Sequence, residues 1–226
     1  MDYIGFVYKI TGNQVKFLRP QLPKWASTEN FDIRAQAKGN PTKDQMRLMM
    51  QSLLSDRFKL AMHDQTLQLP VFGVVLAEPA KLGPDLQQHS ENPPCPAASV
   101  PRSAMVGDRF PVVCGELQRL PASTAGRARL GARNVTMAQI ASFLAGNGIF
   151  GDVDRPMVDQ AGVSGSFDFS VEWAPTQNGA PMPGWLDESG PTFVDALRDQ
   201  LGLKLELQMG MVDILVIDYV EEPLTN

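Results

Sequence analysis

Few groups in this chain can do chemistry at neutral pH. Its 226 residues hold two histidines and two cysteines, which excludes a metal site built mainly from His and Cys. His63 is the leading titratable candidate, and Asp64 follows it directly. As a general base it could activate a water or a serine. Strand parity puts Phe58, Leu60 and Met62 on one face and Lys59 and His63 on the other. The competing reading is therefore a surface histidine on the polar face of a strand. His89 lies in a Pro-rich stretch and reads as an exposed loop residue.

A serine nucleophile would sit best in G-x-S-x-G. The nearest match, Gly162-Val-Ser164-Gly165-Ser166, lacks the last glycine. It also does not stand between a buried strand and a helix, as a nucleophile elbow requires. A tight turn before Phe167 explains it as well. A triad of Ser164, His63 and Asp159 would need distant parts of the chain brought together. Asp152, Asp154 and Asp159, with Gly148 and Gly151 nearby, form a weak calcium candidate, because calcium prefers several oxygens on a turning loop. The twelve-residue calcium loop is missing, and a solvated loop with Asp159 capping a turn is the alternative. No zinc motif, phosphate loop or dinucleotide fingerprint is present, so the sequence calls for no other cofactor.

Composition narrows the classes further. The net charge of −5 argues against nucleic acid as the main partner. No apolar run approaches the roughly 18 residues that span a bilayer, so no transmembrane segment is expected. The 43% hydrophobic fraction suits a folded chain. A protein partner or a small-molecule ligand remains, its identity open.

The elements that must position these residues are periodic. Thr42 and Gln45 form a capping box, and Met46, Met49, Met50, Leu53 and Leu54 follow on one helical face. Core packing explains those methionines better than a soft binding surface. Thr136 and Gln139 repeat the box before Ile140, Phe143 and Leu144, and Ile4, Val7 and Tyr8 mark a helix at the start. Pro191-Thr192 opens a helix with Val194, Leu197 and Leu201 on one face, stopped by Gly202. Strands are expected at 31–38, 58–63, 70–76, 167–173, 203–209 and 212–217 from their alternation or apolar runs. Trp25, Trp173 and Trp185 could line a cleft. Trp173 ends a strand on its apolar side, and Trp185, in the Pro/Gly-rich loop 174–191, is the better candidate for an exposed contact.

Order and punctuation suggest an internal repeat. Phe31-Asp32 matches Phe167-Asp168, Pro41-Thr42 matches Pro191-Thr192, and Phe58-Lys59-Leu60 matches Leu203-Lys204-Leu205. The expected organisation is a first α+β repeat over 1–78, a Pro/Gly-rich insertion over 79–131 and a second repeat over 132–226. The expected fold class is α+β, with antiparallel sheets carrying helices on one face.

Several of these segments resemble a soil-associated acidobacterial family of unknown function. The first half contributes Phe31-Asp-Ile-Arg-Ala-Gln-Ala-Lys38, Asp44-Gln-Met-Arg47, Leu53-Leu-Ser-Asp-Arg-Phe-Lys-Leu60, His63 and Leu69-Pro-Val71. The second contributes Arg155-Pro-Met-Val-Asp159, Gly162-Val-Ser-Gly-Ser-Phe-Asp-Phe169, Trp173, Leu201-Gly-Leu-Lys-Leu-Glu206 and Val216-Ile-Asp218. The likeness covers most of the chain except 79–131. The helix–strand–strand units also resemble, more weakly, the short N-terminal domains of secretins and TonB-dependent receptors.

The resemblance implies a periplasmic or secreted protein. The opening Met1-Asp-Tyr has neither a basic n-region nor an apolar h-region, so a fragment, a trimmed chain and an alternative start all stay open. In an exported chain Cys95 and Cys114 could form a disulfide closing a loop of about 20 residues, contributing on the order of 3 kcal/mol. Two free thiols are the alternative. Two functional readings follow. One is an extracytoplasmic binding or interaction module of unknown ligand. The other is a small hydrolase of esters or acyl lactones, using His63 with Ser164 or a metal-bound water.

Overall fold

Helix starts in this chain are set by reciprocal side-chain caps. In the computed structural model Thr42 Oγ1 accepts the Gln45 N–H at 3.2 Å while Gln45 Oε1 accepts the Thr42 N–H at 2.8 Å. Two of the orphan donors at the helix start are thereby satisfied. Thr136 and Gln139 repeat this arrangement, as does the unforeseen pair Thr11 and Gln14. The structure describes residues 2–92, 94–95, 109–145, 153–177, 180–181 and 190–223.

The helices are α1 (Asp2–Val7), α2 (Gly12–Leu18), α3 (Trp25–Thr28), α4 (Lys43–Phe58), α5 (Met137–Ala145) and α6 (Phe193–Ala196), the last running into a π-helical turn, Leu197–Leu201. The strands are β1 (Ala61–Leu76), β2 (Leu86–Gln88), β3 (Gln118–Arg119), β4 (Ala128–Val135), β5 (Met157–Asp159), β6 (Phe167–Trp173), β7 (Thr176–Gln177), β8 (Ala180–Pro181) and β9 (Leu203–Tyr219). The class is α+β, with sheet orders β5-β1-β9, β2-β6-β4-β3 and β7-β8.

Several expectations change. Residues 31–38 form no regular strand, because no strand among the described residues takes up their backbone groups. The segment 58–63 is split: α4 runs through Phe58, Lys59 closes it in the left-handed region at φ 50°, and β1 starts at Ala61. Residues 61–76 are one strand with Pro70 inside it. Its neighbour β5 pairs only with Phe72–Val74, so at Pro70 that side of β1 has no strand to donate to among the described residues. The segments 203–209 and 212–217 are likewise one strand, β9. Met49 and Val194 lie exposed rather than in a core. In the last helix Phe193, Ala196, Leu197 and Leu201 face inward, where the wider π turn shifts the phase expected from α spacing.

Two compact units emerge: Met1–Leu69 with Met211–Asn226, and Pro70–Gly210. The chain passes between them within β1 and again within β9. The units are thus interleaved in sequence. β2, β3 and the start of β4 fall inside 79–131.

The first unit buries Val7, Leu18, Leu54 and Leu60, with Ile4, Phe6, Met50 and Phe58 partly buried beside them. α4 holds the short α1 by its carbonyls: Arg47 Nε donates to Phe6 O at 3.1 Å and Gln51 Nε2 to Val7 O at 3.3 Å. Gln21 plays the part of a missing strand beside β9. Its amide donates to Leu215 O at 3.0 Å and accepts from the Ile217 N–H at 2.8 Å. β1 and β9 are antiparallel here, since His63 meets Asp218 and Thr66 meets Asp213.

The second unit has the larger core. Phe167, Phe169, Val171 and Trp173 of β6 pack with Leu130 and Ala132 of β4 against Ile140 and Leu144 of α5 and against Leu197 and Leu201. β9 approaches β1 so closely that a Cβ at Gly210 would lie 2.7 Å from Val71 Cγ2.

Two substitutions check these contacts. Thr42→Ala removes the cap of α4 and is expected to lower stability by about 1 kcal/mol in urea unfolding. Gly210→Leu forces a side chain against fully buried Val71 and is expected to cost about 1–3 kcal/mol. Unchanged unfolding midpoints would contradict either account.

Candidate functional site

In the first unit three aromatic rings gather around a cavity. Trp25 sits on α3, Phe31 follows that helix, and Phe58 ends α4. Trp25 and Phe58 stack at 6.3 Å, and Phe31 meets Trp25 edge-on at 5.8 Å and Phe58 at 5.5 Å. The cavity beside them measures about 360 Å³, and Ile4, Leu22, Ile33, Leu54 and Leu60 complete its apolar wall. That size and lining suit a small ligand. Its charged groups are Glu29 and Asp32, both exposed carboxylates. The Glu29 carboxylate beside Glu222 pushes the Glu222 carboxyl above the usual range, because two adjacent negative charges oppose each other's ionisation. The site is thus greasy within and anionic at its rim.

In the second unit the polar residues of β6 are buried as well as the apolar ones. Asp168, Ser170 and Glu172 are buried too, with His89 against Asp168 and Ser123 against Glu172. A β-bulge in β4 aims two groups at Asp168. The register shifts between Ala132 and Val135, with Asn134 at φ 52°. The Asn134 N–H donates to Asp168 Oδ1 at 2.9 Å, and Arg133 Nε lies 3.8 Å from Oδ2. His89 Nδ1 stands 2.7 Å from Oδ1, and the side chains of His89 and Asp168 are each 5% exposed. A carboxylate held by these donors accepts, so Nδ1 carries the proton and Nε2 offers its lone pair outward. Further along, Glu172 accepts from the Ser123 N–H at 2.6 Å and Ser123 Oγ at 2.7 Å, with Arg127 3.7 Å away. Cys95 and Cys114 form a disulfide.

His89 is therefore not an exposed loop residue. Its own N–H donates to Ser166 O at 2.8 Å, which continues the β2–β6 pairing and swings the ring over Asp168. The expected site residues do not take part in these contacts among the described residues. His63 is on β1 in the first unit, with Nδ1 2.9 Å from Asp218 rather than held by Asp64. Ser164 is exposed in the turn before β6. Asp159 ends β5 and accepts the Ala161 N–H at 3.0 Å, capping a turn. Asp154 pairs with Arg155 at 3.4 Å, and Asp152 lies outside the described residues, as does Trp185. Trp173 is in the core, and Trp25 is the tryptophan that lines a cavity.

The residues that sequence reasoning passed over had faint signals. Phe31 and Phe58 were assigned to strands, which hid their meeting with Trp25. Asp168 looked like an ordinary outward residue of a half-exposed strand.

No curated protein and no solved structure matches the chain. A protein-family model described as "Protein of unknown function (DUF3738)" matches residues 1–220. A match over nearly the whole length, taking in both units and the segment between the two long strands, means that the chain belongs to this family.

Proposed function

We propose that the chain is a binding module whose first unit takes a small apolar ligand bearing a positive charge. The cavity walled by Trp25, Phe31 and Phe58 and rimmed by Glu29 and Asp32 carries this reading. Aromatic faces attract cations through their quadrupole as well as burying apolar bodies. Carboxylates at the mouth favour the same charge and repel anions. The cavity holds no histidine, cysteine or serine, so its chemistry suits retention better than turnover. The disulfide supports a working place in an oxidising compartment outside the cytoplasm.

The reading is tested by titrating the full chain with a phenylalkyl trimethylammonium and with the sulfonate of the same length. Intrinsic fluorescence and calorimetry report binding. The ammonium is expected to bind at least tenfold tighter, and Trp25→Ala to weaken it by a further tenfold or more. A bound cation favours the ionised Glu29–Glu222 pair and releases a proton, so affinity should rise with pH through the raised Glu222 titration. Equal binding of the two probes would sink the charge preference, and no binding of either would sink the site.

A further inference from the structure

The second unit holds an arrangement that the binding reading does not use. Cys95 Sγ lies 3.9 Å from His89 Nε2, the ring nitrogen left with a lone pair once Nδ1 donates to Asp168. Asn134 Nδ2 adds a donor 3.6 Å from the same sulfur. Sulfur, imidazole and carboxylate thus stand in the order of a nucleophile, its base and the group that orients the base. Cys114 occupies the sulfur's remaining valence.

We propose that the Cys95–Cys114 disulfide is the closed form of a reactive thiol centre, in which Cys95 is the nucleophile, His89 its base and Asp168 the positioning residue. The co-reactant is a dithiol reductant. A thiolate of that dithiol attacks Cys114 Sγ, and a sulfur–sulfur bond forms there. The Cys95–Cys114 bond breaks, and its electron pair goes to Cys95. The second thiol of the reductant then displaces Cys114 and closes the reductant's own disulfide. Two electrons pass to the protein. Of the two protons released, one goes to Cys114 and one to His89 Nε2, leaving a Cys95 thiolate beside an imidazolium. Opening the disulfide in this direction follows from leaving-group chemistry, because the sulfur whose thiolate is better stabilised leaves faster. Nothing equivalent to His89 is placed against Cys114 among the described contacts. Its neighbour Gly115 is tied by its N–H to Arg133 O at 2.7 Å.

The charges around the imidazole suit this task. Asp168 of β6 stabilises the imidazolium that forms, as a buried carboxylate does in a triad. Arg133 of β4 lies 3.8 Å from the far oxygen of Asp168. Glu91, on the segment that carries His89, lies 3.9 Å from Nε2 and is 84% exposed, so water screens its pull on the proton. The site is half-open from the sulfur side: Cys95 and Cys114 are both partly exposed while the base beneath is covered. A partner thiol can thus reach sulfur, but solvent does not reach the His89–Asp168 bond. Electrostatic lowering of a thiol's titration beside His⁺ is the general route to a reactive cysteine.

The test uses the full chain and reads thiol titration rather than folding. In Cys114→Ser, iodoacetamide alkylation of Cys95 is followed by mass spectrometry from pH 5 to 10. Its midpoint is expected at least one pH unit below the ordinary thiol value of about 8.5. In the same variant carrying His89→Gln, the midpoint should return to that value and the rate at pH 7 should fall about tenfold or more. An ordinary midpoint in the first variant, or the same midpoint in both, overturns the proposal. Should removal of the disulfide unfold the chain, the intact proteins decide the matter. Dithiothreitol at pH 7 should then open the disulfide at least fivefold faster in the natural sequence than in His89→Gln at matched thermal stability, with the mixed disulfide captured on Cys114. Equal opening rates, or capture on Cys95, overturn it.

Discussion

A carboxylate that leaves water must find donors, and that requirement shapes much of the larger unit. Asp168 lies on the centre strand β6 with its side chain turned from the apolar core yet buried. An isolated buried charge is several kcal/mol too costly to keep. The chain meets the cost with three donors from two elements. The β4 bulge presents the Asn134 N–H and Arg133, and the segment after β2 lays His89 across the remaining lone pair. Glu172 is served likewise by both polar groups of Ser123 and by Arg127. The outer face of the sheet is therefore a second, polar interior, in which His89, Ser123 and Arg127 sit where those carboxylates need partners.

Much of the local structure was legible because its causes are local. Capping boxes at Thr42 and Thr136 need four consecutive residues, and both set helix starts as expected. The apolar run of β6 and the stop at Gly202, in the left-handed region at φ 69°, are equally self-contained. The disulfide was legible as a pairing, since the chain holds two cysteines. What failed was extent and environment. The expected strands 58–63 and 70–76 merge into β1 from Ala61 on, and 203–209 and 212–217 merge into β9, because continuity depends on the partner across the ladder and not on the residues themselves. Gly210 falls between the two expected strands, and a Cβ there would lie 2.7 Å from Val71 Cγ2.

Alternation also has a blind side. A strand with polar residues at every second position looks half-exposed whether water or another segment covers those residues. Phe167-Asp-Phe-Ser-Val-Glu-Trp173 gives no internal sign of which applies. The aromatic cavity was hidden for a different reason. Trp25, Phe31 and Phe58 come from three places whose periodicities differ, yet their rings lie within 6.3 Å of one another. A cavity is a property of what several elements leave empty, so no single pattern encodes it.

The two histidines show how environment decides chemistry between identical groups. Each has Nδ1 within hydrogen-bonding distance of an aspartate, 2.9 Å for His63 and 2.7 Å for His89. The His63 and Asp218 side chains are 51% and 47% exposed. Water competes for both partners there, and such a pair contributes on the order of 1 kcal/mol or less. His89 and Asp168 are shut from water, so the same bond fixes the ring's orientation and decides which nitrogen faces Cys95. Sequence reasoning chose His63 because a carboxylate follows it in the chain. The structure favours His89 because a carboxylate faces it in space, away from solvent. Proximity along the chain says which groups are available, and only burial makes one of them directional enough to hold a base against a sulfur.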